Sequence, residues 1–251
     1  MSAVDAPAWL TARPIAHRGL HDAAAGRYEN TMAAADAAIA GGFAIECDVQ
    51  LSSDGEAMVF HDHDLDRLTG ETGPVGARNA AFLATLSIGG SADRIPTLDA
   101  FLDRIGGRVP LVIEIKSRFD GDERLARRTM AVLANRAGPI AVKSFDPALV
   151  ALVRELAPAL PRGIVGQSRF DTGDAARLDA GRLRAMTDLL HWPQTRPDFV
   201  SWRHADLPCA ASALPRALGN VPVMTWTVRS RADAERVRPH ADQIVFEGFV
   251  P

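Results

Sequence analysis

The stretch GFAIECDVQLSSDGEAMVFHD, residues 42–62, holds the side chains best suited to chemistry. Read as a strand with its period of two, it sets Glu46 and Asp48 on one face and Ile45, Cys47 and Val49 on the other, so two carboxylates leave the same side about 7 Å apart. Paired charges on one buried strand are expensive unless a cation or a hydrogen-bonded network compensates them. A second apolar run, Ala57 to Phe60, follows the turn Ser53-Asp54-Gly55 and ends on His61 and Asp62. Two acids and a histidine on strand termini suggest a metal and acid/base site whose remaining ligands come from elsewhere in the chain.

The elements that would position them follow from periodicity and punctuation. Pro14-Ile15-Ala16-His17 reads as a short first strand running into the loop Arg18-Gly19. Asn30 is expected to N-cap an Ala-rich helix over 31–40 that Gly41-Gly42 stops. From His63 to about Arg94 the periodicity is poor and Gly, Thr, Asn and Asp are frequent, which suggests a loop-rich insertion at about 63–94. Thr97 opens a helix over 98–105, closed by Gly106-Gly107. The run 109–115 is apolar except for Glu114, as in a parallel strand buried on both faces. Helices at 123–136, 147–157, 182–190, 210–218 and 231–238 then alternate with strands at 140–143, 162–165, 199–202, 223–228 and 243–246. Such alternation predicts a TIM-type (β/α)8 barrel, a single domain over 1–251.

In a parallel barrel the carboxyl ends of the strands form one rim, where catalytic groups gather. His17 ends the first strand, Glu46 and Asp48 lie late in the second, Glu114 and Lys116 end the third and Trp226 lies late in the strand at 223–228. Three carboxylates without thiolates suit a hard cation, Mg²⁺ or Ca²⁺, whereas zinc would ask for more histidine or cysteine. With that cation the carboxylates sum to one negative charge, and Arg18 and Lys116 bring the site to one positive charge, the complement of a phosphodiester monoanion. His17 and His61 have the character of a general base and a general acid. Arg18 offers a planar fork to phosphate oxygens and Lys116 a point charge.

Several of these residues also have plainer roles open to them. Glu114 alone would suit an ion pair with Lys116, and Glu29 would serve equally in a polar network beneath the metal or as an acid favouring a helix N-terminus. His63, two residues beyond His61, is equally able to reach the same face. Trp226 suits the core, but its place at a barrel mouth favours a substrate wall.

Composition excludes other classes. With 251 residues, 47% hydrophobic and 24% charged, the chain has a globular balance, and 28 basic residues among 31 acidic ones leave a net charge of -3. No global field is available to hold nucleic acid or an anionic membrane. Cys47 and Cys209 lack metal-ligand spacing and read as buried free thiols. An early Asp5, the lack of an apolar leader core and the lack of an apolar run near the ~18 residues of a membrane span argue for a reducing cytoplasm without membrane insertion.

The ordered set Ala16-His17-Arg18-Gly19, Glu29-Asn30-Thr31, Glu46-Cys47-Asp48-Val49-Gln50, Asp54-Gly55, Phe60-His61-Asp62, Leu65-Asp66-Arg67, Ile95-Pro96-Thr97-Leu98 and Ile113-Glu114-Ile115-Lys116 resembles the glycerophosphodiester phosphodiesterase family. The likeness is dense to Lys116 and thinner in Ser144-Phe145-Asp146-Pro147 and Trp226-Thr227-Val228. It implies a TIM-type barrel with a small insertion after the second strand, and metal-dependent hydrolysis of a small glycerophosphodiester to glycerol 3-phosphate and an alcohol. The family's roles would fall on Glu46, Asp48 and Glu114 as ligands of one Mg²⁺ or Ca²⁺, on His17 and His61 as the acid/base pair, and on Arg18 and Lys116 as phosphate contacts. The family position also favours His61 over His63. Arg229 replaces the family's usual Asn and Phe246-Glu247 its usual Thr-Asp, both where the leaving alcohol would be read. Two other readings are a lysophospholipase D, with Phe82, Leu83, Leu86 and Ile88 as a lipid-facing patch or the insertion's own core, and a barrel that binds glycerophosphodiesters without cleaving them.

Overall fold

The computed structural model describes residues 6–170 and 178–251; Asp5 lies outside them. Its strands are β1 (Ile15–Ala16), β2 (Ala44–Leu51), β3 (Ala57–Val59), β4 (Leu111–Ile115), β5 (Ile140–Ser144), β6 (Arg162–Gly166), β7 (Phe199–Arg203), β8 (Val223–Val228) and β9 (Gln243–Phe246). They hydrogen-bond in the order β1, β9, β8, β7, β6, β5, β4, β2, and a parallel pairing of β1 with β2 closes the ring. With helices following the strands, this is the expected TIM-type (β/α)8 barrel. β3 is the extra strand, antiparallel on the carboxyl end of β2.

The chain divides into two compact units: residues 15–116 with 122–140, and the remaining described residues. In the first, β2 is buried from Ala44 to Gln50 and is flanked by β1 and β4, which accounts for its near-continuous apolar character away from the acids. The helix Leu98–Ile105 buries Leu98, Phe101, Leu102 and Ile105, one stripe at helical spacing, with Thr97 accepting from the Ala100 N–H at its start. The helix Met32–Ala40 presents only Ala34, Ala35 and Ala38 inward, so backbone can approach it closely. After β3 the chain builds a loop-rich segment around its own core, in which Leu65, Val75, Leu83, Ile88 and Ile95 are buried together with Met58 and Phe60. Of the four residues considered for a lipid-facing patch, Leu83 and Ile88 are fully buried here, Leu86 packs against the same core, and Phe82 lies under the Arg78 guanidinium.

In the second unit β5 to β9 pair in parallel, each with the next. The strands expected at 223–228 and 243–246 are matched residue for residue, and those expected at 140–143, 162–165 and 199–202 each continue for one residue. The helix expected at 182–190 runs instead over Ala180–Thr187. Asp179 caps its start by accepting from the Arg182 N–H, and Leu189, in the left-handed region at φ 53°, prevents its continuation. Cys209 is a correction: it is half-buried, not buried, because it stands at the N-cap of the helix Ala210–Gly219. Among the described residues no helix is long and apolar enough to cross a membrane.

His191, at the start of the short helix Trp192–Thr195, is largely buried and its Nε2 has no hydrogen-bonding partner. Burial pushes its pKa from the ordinary 6.5 down to about 4. The folded chain therefore refuses a proton that the unfolded chain accepts, so this group's contribution is intact above about pH 6.5 and is lost as pH falls toward 4. Allowing for partial exposure, the unfolding free energy should drop between pH 7 and pH 4.5 by about 1–2 kcal/mol more in the parent than in His191→Gln. Urea unfolding at the two pH values measures the difference, and equal drops would contradict it.

Candidate active site

Strand register brings the acids together. Asp48 of β2 stands opposite Glu114 of β4, and alternation sends Glu46 to the same face as Asp48 and Cys47 to the other. Ligand oxygens of Glu46, Asp48 and Glu114 all lie within 4.8 Å of one another, and the three residues are 0%, 1% and 5% exposed. The Lys116 ammonium bridges two of them, 2.6 Å from Glu114 Oε1 and 2.7 Å from Asp48 Oδ1. The Arg18 guanidinium lies 3.4 Å from Asp48 Oδ2, and His17 Nε2 lies 4.0 Å from Glu46 Oε2. Burial alone would raise the Asp48 pKa, but Lys116, His61, Arg18 and His17 outweigh it and hold the carboxyl well below its usual range. Burial likewise works against the Lys116 charge, and Asp48 and Glu114 reverse it, raising that pKa. An all-oxygen cluster that already draws an ammonium fits a hard divalent cation.

The loop after β1 adopts an unusual backbone to reach this cluster. Arg18 and Gly19 both lie in the left-handed region, at φ 56° and 79°. The Arg18 N–H thereby donates to Glu46 Oε2 at 3.1 Å, and the Gly19 N–H reaches the Ala16 and Glu46 carbonyls. A Cβ on Gly19 would sit 2.8 Å from the Ala34 Cβ, so glycine is required here by both conformation and space. Asn30 corrects a sequence expectation. It does not cap the following helix, because Thr31 does so by accepting from the Ala34 N–H. Asn30 is itself left-handed at φ 56°, and its amide donates to Asp48 Oδ2 at 3.0 Å while accepting from the Asp48 N–H at 3.2 Å.

His61 is carried in by the β2–β3 hairpin. The Phe60 N–H donates to the Asp48 carbonyl at 3.0 Å, and Gln50 Nε2 donates to the His61 carbonyl at 2.9 Å. His61 Nδ1 lies 2.6 Å from Asp62 Oδ1. Burial would raise the Asp62 pKa, but His61 and Arg67 outweigh it and keep it far down, so the ionised carboxylate accepts from His61 Nδ1. Asp62 and Glu29 both bind Arg67, and Glu29 also takes the Arg18 guanidinium at 2.6 Å, which settles Glu29 within the polar network. His63 is half-buried, and its carbonyl accepts from the Val75 N–H. Sequence reasoning assigned no task to Asn30 here, nor to Gln50, Asp62 or Arg67. The available signal was only that each stands inside a motif already quoted.

Trp226 belongs to the second unit. It is half-buried in β8, its indole N–H donates to the Ser201 carbonyl at 3.0 Å and its ring meets Phe145 edge-on at 5.4 Å. In the same unit the two departures from the family pattern pair with each other, Arg229 with Glu247 at 2.7 Å.

A TIM-type barrel with clustered acids, a carboxylate-oriented histidine and a fixed guanidinium has the equipment of a hydrolase acting on phosphate esters. Comparison with known proteins is consistent with this. A sequence model of the glycerophosphoryl diester phosphodiesterase family matches residues 17–241. YhdW of Bacillus subtilis (strain 168), assigned as a glycerophosphodiester phosphodiesterase, is 32% identical over 191 residues, 72% of this chain and 76% of that protein. Among solved structures, a phosphodiesterase of Oleispira antarctica superposes with a TM-score of 0.75 at 22% identity, covering 93% of this chain and 91% of its own. A glycerophosphodiester phosphodiesterase of Agrobacterium tumefaciens gives 0.67 at 25% identity over 92% and 94%. The chain belongs to the glycerophosphoryl diester phosphodiesterase family and is a phosphoric diester hydrolase.

The Asn30 geometry makes a stability prediction. Asn30→Gly keeps the left-handed backbone and removes two buried hydrogen bonds, which should cost about 1–3 kcal/mol. Asn30→Ala adds the steric cost of that backbone, about 1 kcal/mol more. Denaturant unfolding of the two variants checks the order, and Ala at least as stable as Gly would contradict it.

Proposed function

We propose that this chain hydrolyses glycerophosphodiesters to glycerol 3-phosphate and an alcohol, its barrel acting as one catalytic domain with an insertion at about 63–94. Glu46, Asp48 and Glu114 hold one divalent cation, Mg²⁺ or Ca²⁺. The observation that carries this reading is the cluster of three buried carboxylates within 4.8 Å of one another, edged by Arg18 and Lys116. The cation supplies Lewis-acid polarisation of the phosphoryl group. Arg18, fixed by Glu29 and by its own backbone, presents its guanidinium to the non-bridging phosphate oxygens, and Lys116 adds a second positive charge as negative charge develops there.

His17 and His61 divide the proton transfers. One takes a proton from the attacking oxygen, of water or of a substrate hydroxyl whose cyclic phosphate water then opens, as the new O–P bond forms, and the other gives a proton to the departing alkoxide as the old P–O bond breaks. Hydrogen bonding of Nδ1 to Asp62 directs His61 to work through Nε2. The Oleispira antarctica enzyme was solved with the product sn-glycerol-3-phosphate, which supports the same product class for this chain. The lysolipid alternative loses its motivating patch, since three of the four apolar residues named for it pack into the insertion's own core.

The test is turnover of glycerophosphocholine with a chelator and then with Mg²⁺ or Ca²⁺ restored. Activity should vanish and return, and Glu46→Ala or Asp48→Ala should lower it by about 10³-fold or more with the fold intact. His61→Ala should cost on the order of 10²–10⁴-fold while His63→Ala stays within about threefold. Full activity under chelation, or in either carboxylate variant, would overturn the metal assignment. A larger loss in His63→Ala than in His61→Ala would transfer the proton-transfer role to His63.

A further inference from the structure

Arg67 has a position that the phosphodiesterase reading does not use. It belongs to the segment after β3, where Leu65 is fully buried in that segment's core and its N–H bonds the Gly73 carbonyl at 2.9 Å. From this anchored turn the Arg67 guanidinium takes two carboxylates at once. Nε and Nη2 lie 2.6 and 3.1 Å from the two oxygens of Asp62, and Nη1 and Nη2 lie 2.9 and 2.7 Å from the two oxygens of Glu29. Each carboxylate also has a second partner: His61 Nδ1 at 2.6 Å from Asp62 Oδ1, and Arg18 Nη1 at 2.6 Å from Glu29 Oε1. Arg18, Glu29, Arg67, Asp62 and His61 thus form one hydrogen-bonded chain, ending at a candidate phosphate contact and at a candidate proton-transfer group.

We infer that Arg67 is a positioning residue that couples the orientation of His61 to that of Arg18, and that the insertion takes part in the reaction by holding it. Two features of guanidinium chemistry carry this. Glu29 and Asp62 are close enough to share one side chain, so without the cation between them they repel, and each loses the anchor that aims its partner. A planar fork grips each of the two carboxylates by both its oxygens and so fixes their planes; an ammonium, a point charge on a shorter reach, would touch them without fixing either plane. Both carboxylates are ionised at neutral pH: burial would raise the Glu29 pKa, but Arg67 and Arg18 lower it. A purely stabilising role fits poorly, because the Arg67 side chain is 48% exposed and half-exposed ion pairs contribute little to folding.

The inference rests on the phosphodiesterase reading, and steady-state kinetics on glycerophosphocholine with Mg²⁺ or Ca²⁺ present separates the two. Arg67→Met should lower kcat on the order of 10–100-fold, the scale of a small misplacement of catalytic groups, with the melting temperature nearly unchanged. Arg67→Lys should recover less than about a third of the parent kcat, whereas Arg78→Met, in the same insertion, should match the parent. In an Asp62→Asn background, Arg67→Met should lower kcat further by a smaller factor than it does in the parent, because the link to His61 is already cut and only the anchor of Glu29 remains to be lost. A parent that turns over while Arg67→Met keeps kcat within about twofold overturns this inference alone, as does a loss fully additive with Asp62→Asn. Should Arg67→Met fail to fold, parent-like kcat in Arg67→Lys overturns it. A parent with no turnover under either metal overturns the phosphodiesterase reading, and this inference with it.

Discussion

Three carboxylates buried with their oxygens within 4.8 Å of one another repel by about 3 kcal/mol or more per pair even at an effective dielectric near 20, and the surrounding structure answers that constraint. Lys116 bridges two of the acids, Arg18 approaches Asp48, and the Arg18 N–H and His17 face Glu46. Asn30 satisfies the polar backbone and side chain of Asp48 without adding charge. Every element that reaches the cluster therefore brings a positive or hydrogen-bonding group to it, and the set is suited to exchange part of that compensation for a divalent cation and a phosphate.

Two non-glycine residues in the left-handed region stand where this compensation is delivered. Arg18 and Asn30, both non-glycine residues, occupy the left-handed region, and Gly19 follows Arg18 in the same conformation against Ala34. The Asn30 N–H bonds the Arg18 carbonyl at 2.9 Å, so the two unusual residues fix each other. Such conformations persist only where neighbouring contacts outweigh their cost. Tyr28 supplies one of those contacts by packing on the insertion core, close over Gly89, where a Cβ would meet its ring.

Fold and cluster were both written in the chain's patterning. Alternation of apolar runs with helical stripes located strands at 223–228 and 243–246 to the residue, and period-two alternation in β2 put Glu46 and Asp48 on one face before the register with β4 set Glu114 beside Asp48. Asn30 was misassigned because an Asn before an Ala-rich helix carries a capping signal of its own, whereas its left-handed backbone and its reach to Asp48 are tertiary facts. Arg67 was unreadable for a related reason. Nothing local distinguishes an arginine that joins Glu29 to Asp62 from one on a solvated loop, since its partners lie 38 and 5 residues away. Cys209 went wrong by exposure alone, because burial at a helix terminus depends on what packs over it.

Occupancy of the cluster by a cation is the central claim, and anomalous diffraction from crystals grown with Mn²⁺, an ion with the same taste for oxygen ligands, tests it most directly. The account predicts one anomalous peak in contact with Glu46, Asp48 and Glu114, at distances of about 2.0–2.6 Å. A map with no peak at these three carboxylates, under conditions in which the protein turns over substrate, would contradict it.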